Sequence, residues 1–233
     1  METIEVGGLR IRVVRSAKRK SVVMRVAADG VPEMLAPRFC PAAELKEIAL
    51  KHADKLSEYL ERHRERESAK AEFELRPGSE LRFLGGKVTL TERPGDRAGY
   101  EDGIFFIPPG CSPKQAKAVV IQVYKLAAKN IITPRVGELA ARMRLRPVSV
   151  KINSARSHWA SCSARDTLNF SWYLAMARQS AIDYVILHEL CHMFEFNHSE
   201  RFWKLVGEQC PDYEREKVYL KELWESIQRE NWE

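Results

Sequence analysis

No stretch of the 233-residue chain approaches 18 consecutive apolar residues, which excludes a membrane-spanning helix of ordinary length. The opening METIEVGGLRIRVV has no long apolar core, so a secretory signal is not expected. Five cysteines, at positions 40, 111, 162, 191 and 210, form no CxxC pair and no even-numbered disulfide framework. A reduced, cytoplasmic compartment is the expectation. Glycine (12) and proline (11) are at ordinary levels, which excludes a collagen-like chain. Asp and Glu are missing between residues 6 and 28, and there is no internal repeat.

What is present fits a globular protein. Apolar residues make up 45% and charged residues 30%, too apolar for a disordered chain. The net charge of +6 is a mild bias that permits an anionic partner without requiring one. The basic residues cluster. Arg10, Arg12, Arg15, Lys18, Arg19, Lys20 and Arg25 form one run; Arg135, Arg142, Arg144, Arg146, Lys151, Arg156 and Arg165 form another, with Glu138 its one acid. Each run reads either as a solvated face or as a surface for an anionic substrate. No nucleic-acid-binding motif accompanies them, so nucleic acid is not an expected partner.

The pattern predicts an α+β chain. LRIRVVRS, SVVMRVA and VPEMLAP read as strands, with a turn at residues 28–30. One long helix is expected from Pro41 to about Ser68. Glycine-punctuated runs between Phe73 and Pro109 read as a small antiparallel sheet. Ser112-Pro113 opens a helix to about Lys129, and Pro134 is expected to start another ending near Arg144. VSVKIN and TLNFSWYL are strand candidates. Further helices are expected at 181–196, capped by Ser180, at 199–209 and at 212–230. Two regions follow: residues 1–110, β-rich with one long helix, and residues 111–233, mostly helical.

The strongest chemical signal is His188-Glu189-Leu190-Cys191-His192. On a helix, residues four apart sit ~40° apart in azimuth and ~6 Å apart along the axis, so both imidazoles leave one face and reach one cation. Glu189 lies beside that face and can hold a water without being a ligand. The surrounding residues are apolar nearly all round, so the helix is expected to be buried. Burying His188, Glu189 and His192 without partners would cost roughly 2 kcal/mol or more per group. A catalytic zinc wants three protein ligands. His198 is the leading third, provided the helix stops first, with Asn197 as the helix-ending residue and Ser199 capping the next helix. Glu208, Glu214 and Glu216 are the carboxylate alternatives. Asp183 or Glu195 could orient an imidazole, and Tyr184 stands one turn before His188. Cys162 either lines the cleft, or modulates the metal as a thiolate, or is a small buried side chain.

The run IDYVILHELCHMFEFNHSERFW resembles the YgjP-like metallopeptidase family, zincins related to SprT and WLM proteins. SARSHWASCSARDTLNFSWYL, PDYEREKVYLKELW and RSAKRKSVVMRVAADGVPEMLAP are similar to the same family's other segments. The resemblance implies a zinc ion on His188, His192 and His198, Glu189 as general base, and a peptide or protein substrate. Beside what the resemblance implies, Arg156, His158, Trp159, Ser161 and Cys162 are candidate cleft residues, and Arg156 and His158 are candidate oxyanion donors. His158-Trp159-Ala160 stands where the family has Arg-Trp-Gly. The ligand spacing also matches metzincins, but Glu195 occupies their glycine position and no Met follows Met193. A metal-dependent hydrolase of nucleotides or other phosphate anhydrides, its phosphates bound by the arginines of 135–165, is the alternative activity. A non-catalytic zinc-stabilised binding protein is the alternative without one.

Overall fold

The computed structural model describes residues 2–27 and 29–232. The architecture is mixed α+β, in two compact units. One holds the chain up to Phe73 together with Gln228–Asn231; the other holds Glu74–Ile227 with Trp232. The composition shift near Gly110 falls inside the second unit.

In the first unit, β1 (Glu2–Val6), β2 (Leu9–Ser16), β3 (Val23–Val26) and β4 (Pro32–Pro37) form a sheet in the order β1-β2-β4-β3. β2 and β4 run parallel, and the outer pairs are antiparallel. Central β4 buries four successive residues, Glu33 to Ala36. The buried Glu33 carboxylate is met by Arg25 at 2.6 Å and faces Arg12 at 3.8 Å. Arg15 binds Glu2 through two bonds of 2.7 and 2.8 Å, and Arg10 pairs with Glu5. Much of the N-terminal basic run is therefore spent on ion pairs within the sheet. The expected turn at 28–30 includes Ala28, which lies outside the described residues; beside it, Gly30 adopts φ +76° and donates to Ala27 O.

The single long helix is instead two, α1 (Ala42–Lys51) and α2 (Ala53–Glu72). His52 leaves helical geometry at φ −116°, ψ 13°, and its N–H bonds Ala49 O, a tightened last turn. Leu45, Ala49, Leu56 and Leu60 still form one apolar set, packed on Ile4, Ile11, Val13, Met34 and Ala36.

In the second unit, β5 (Glu80–Phe83), β6 (Gly86–Glu92), β7 (Gly99–Glu101) and β8 (Ile104–Ile107) form a sheet in the order β5-β6-β8-β7. It is not wholly antiparallel as expected, since β6 and β8 run parallel. α3 (Pro113–Arg142) starts at Ser112, whose hydroxyl accepts from Gln115 N–H while Gln115 Oε1 accepts from Ser112 N–H. Pro134 does not break α3 in two. Proline forfeits one backbone bond there, but Tyr124, Ala128, Ile132, Val136 and Leu139 bury one continuous stripe across it, and packing outweighs the local loss. β9 (Ser149–Asn153), β10 (Ala160–Cys162) and β11 (Thr167–Ser171) form a third sheet, ordered β10-β11-β9. A 3-10 turn, Trp172–Met176, replaces the end of the expected second strand. α4 (Gln179–His192), α5 (Glu200–Gln209) and α6 (Tyr213–Ile227) follow. Among the described residues, no helix is long and apolar enough to cross a membrane.

The turn between β5 and β6 is pinned to the segment preceding α4. Leu84 N–H and Gly85 N–H donate to Ala175 O and Met176 O at 2.9 and 3.1 Å. Gly85 sits at φ +79°, and a Cβ there would lie 2.7 Å from Arg178 Cβ and 2.9 Å from its Cα. Gly85→Ala should therefore destabilise the protein by about 1–3 kcal/mol, as overpacking does. Gly103→Ala should cost less, because Gly103 shares φ +79° with nothing within 4 Å. Urea midpoints of the two variants check this: equal midpoints would mean the close approach at Gly85 carries no cost.

Candidate metal centre

α4 is buried nearly all round, as its composition predicts. Its start differs from expectation: Arg178, not Ser180, is the N-cap residue. Arg178 holds that position with bonds to both oxygens of buried Glu216, each 3.0 Å, and its N–H donates to Tyr219 Oη at 3.1 Å. Glu216 is thus committed to a guanidinium and is not available as a metal ligand. Glu214 is bound to Lys217 Nζ, and Glu208 is exposed.

The helix ends at His192, earlier than expected, and the chain turns through residues 193–198. Asn197 does not end it in a left-handed conformation; among the described residues, positive φ outside glycine occurs at Leu84, Asp102, Arg144 and Asp166. Hydrogen bonds from Phe194 and Glu195 N–H to Cys191 O close the last turn instead. Ser199 caps α5 as expected, accepting from Phe202 N–H at 3.3 Å.

This turn returns His198 to the other two histidines. One ring nitrogen from each of His188, His192 and His198 lies within 4.8 Å of the others, the one such His/Cys/Asp/Glu group among the described residues. His188 Nε2 and His198 Nε2 are 3.0 Å apart. Phe202 lies against all three imidazoles, with ring centroids 4.5–4.9 Å away. His192 Nδ1 is fixed by the Glu195 carbonyl at 3.1 Å, so Glu195 orients an imidazole through its backbone. Asp183 does not: both its oxygens are taken by Arg135, at 2.8 and 2.7 Å.

Burial, reinforced by the neighbouring imidazoles, pushes His188 down to about 3, so it is neutral with a lone pair to offer. His192 is lowered, chiefly by burial. Three converging imidazoles are a donor set suited to zinc. Glu189 is 5% exposed, and burial pushes its carboxyl up to about 8, opposed by a hydrogen bond from Cys162 N–H. Its Oε2 and His188 Nδ1 are buried without hydrogen-bond partners among the described residues. Unpaired buried polar atoms are costly enough to mark a place where a ligand completes the structure.

A cleft of about 680 Å³ opens beside these groups. His158, Trp159, Ser161 and Cys162 line it, from β10 and the segment before it; Arg156 does not. Burial pushes the Cys162 thiol up to about 11, a direction that favours the neutral thiol. Tyr184 lines the cleft and meets His188 edge-on at 5.9 Å between centroids. The opposite wall was not foreseen. Lys217, Leu220, Lys221 and Trp224 of α6 supply it, and Trp224 packs on Trp159 at 5.0 Å. Their spacing of three and four residues is the signal that places them on one helix face. Among the described residues, no arginine lines the cleft.

A family model for the YgjP-like metallopeptidase domain matches residues 20–223. Among solved structures, the metallopeptidase zymogen jannalysin of Methanocaldococcus jannaschii is similar at 24% identity, over 39% of this chain and 95% of that one, with a TM-score of 0.33. No curated protein matches the chain.

Proposed function

The chain belongs to the YgjP-like metallopeptidase family, and from that premise we propose that it hydrolyses peptide bonds with a zinc ion held by His188, His192 and His198 and with Glu189 as general base. The observation that carries this reading is the convergence of three imidazole nitrogens within 4.8 Å, beside a buried carboxylate with a free oxygen. When bound there, zinc supplies Lewis acidity to a water and to the scissile carbonyl. Glu189 accepts the water's proton on the oxygen that has no partner and returns it to the leaving amine. Cys162 N–H steadies the carboxylate from β10. The tryptophan pair Trp159–Trp224 and the α6 side chains give the cleft an apolar part of its lining. Every one of these residues falls within 111–233, which we assign as the catalytic region. The five free cysteines support a reducing compartment such as the cytoplasm.

The alternative hydrolysis of phosphate anhydrides loses its main support, because the arginines of 135–165 do not line the cleft. Arg135 is committed to Asp183 and Glu138. The purified chain should cleave casein-type peptides, stop when a chelator is added, and leave nucleoside triphosphates intact. Turnover of triphosphates faster than of peptides would overturn the assignment. Arg144→Gln and Arg146→Gln should leave peptide turnover within about two-fold of the parent, as surface charges with weak, screened influence do. A larger loss in KM that tracks ionic strength would return those arginines to the substrate site.

A further inference from the structure

A second groove, of about 580 Å³, lies in the N-terminal unit and is independent of the metal reading. The sheet ends on one side at β3, which pairs with β4 and with no other strand among the described residues. β3 therefore offers one row of unpaired backbone N–H and C=O groups, the usual template for an added strand. α2 packs against β3. Between them the apolar layer is incompletely covered: Val22, Met24 and Val26 alternate inward but remain half-exposed, with Ile48 beside them. The space is where the inward side chains of one more strand would sit.

The rim is cationic. Lys55, Tyr59, Arg62 and Arg66 of α2 are spaced by four, three and four residues, which sets them in one stripe along the groove. Among the described residues, no carboxylate lines it. Arg62 is paired with Glu58 on the open face of α2, whereas Lys55 and Arg66 have no carboxylate partner among the described residues. The stripe spans ~16 Å of helix, the length of roughly five extended residues.

We infer that this groove binds an extended acidic segment of a partner protein. The segment adds a strand beside β3, buries apolar side chains against Met24, Val26 and Ile48, and sets carboxylates against Lys55, Arg62 and Arg66. Such strand addition takes affinity from main-chain bonds and specificity from alternate side chains. A single-stranded nucleic acid fits less well. It would leave the edge of β3 unpaired, and one exposed tyrosine is a poor substitute for a series of stacking platforms.

The test uses the full chain and a fluorescent nonapeptide, Glu-Thr-Val-Thr-Glu-Thr-Val-Thr-Glu, which puts valine and glutamate on one face of a strand. Fluorescence anisotropy should show saturable binding that weakens with salt. The same peptide with lysine for glutamate should bind at least ten-fold more weakly, and so should a version N-methylated at alternate residues, which cannot complete the ladder. Arg62→Glu with Arg66→Glu should reverse the preference towards the lysine peptide. If that variant melts early, Lys55→Gln with Arg66→Gln should still lose several-fold in affinity for the acidic peptide. Equal binding of the acidic and lysine peptides, full affinity of the N-methylated peptide, or tighter binding of oligothymidylate that displaces the acidic peptide would each overturn the inference.

Discussion

Replacing Glu189 by glutamine should lower peptide hydrolysis by at least about 100-fold, the lower range for loss of a positioned general base, while metal content stays at the parent's level. The two effects separate because the carboxylate adjoins the three imidazoles without belonging to their set of converging atoms. Glutamine keeps the shape and the oxygen that accepts from Cys162 N–H. It loses the second oxygen, the buried one with no partner, which is where a proton would be taken up. A hundred-fold loss corresponds to about 2.7 kcal/mol of transition-state stabilisation. Thermal stability should stay near the parent's, because an isosteric amide fills the same space and keeps the bond from Cys162 N–H. If Glu189 served only to satisfy a structural neighbour, the amide would lower the melting temperature and spare the reaction. Zinc content, melting temperature and initial rate, measured on one preparation, decide between these outcomes; hydrolysis at the parent rate would end the general-base role.

Much of the site was legible because its chemistry lies in one short segment with strong periodicity. The spacing of His188 and His192 fixes their common face whatever the helix packs against, and an apolar surround announces burial. His198 was legible only on condition that the helix end before it. That condition holds, but by closure of the last turn onto Cys191 O and not through Asn197. A side chain's tolerance of left-handed geometry says what it permits, and here the backbone found another way to turn. The α6 wall was invisible because Lys217, Lys221 and Trp224 look like an ordinary amphipathic surface until the fold sets them opposite β10. β10 itself is three residues long, too short for alternation to register.

The two differences in the helices have opposite causes. At Pro134 local preference expects a break and tertiary packing overrides it. Around Pro134, burial of a continuous stripe kept one helix. At His52, local geometry broke a helix that composition would have continued. Glu216, a ligand candidate on residue type alone, is the partner that anchors Arg178 at the entrance to α4. Arg135 of α3 binds Asp183 of α4. Charged residues that sequence spacing offered to a metal or a phosphate hold α4 in place instead.

His198→Ala should weaken zinc binding by at least about 100-fold. Zinc held by four ligands in small domains is worth ~10–16 kcal/mol, on the order of 3 kcal/mol per ligand, and a three-nitrogen site has no spare ligand to compensate. The loss should show without any assay of turnover. Zinc added to the metal-free parent should raise its melting temperature, since a ligand bound to the native state alone stabilises it by RT ln(1 + [L]/Kd). The alanine variant should show little rise at the same zinc concentration. Its melting temperature without metal should stay close to the metal-free parent's, because His198 is exposed and lies in a turn. His192→Ala should lose the zinc response as well. It should also unfold more easily, since His192 is partly buried and its Nδ1 is bonded to the Glu195 carbonyl. Glu214→Gln and Glu208→Gln serve as counter-tests. If either abolished the zinc-dependent rise while His198→Ala retained it, the third ligand would be a carboxylate, and the convergence of His198 Nε2 on His188 Nε2 at 3.0 Å would be a packing contact.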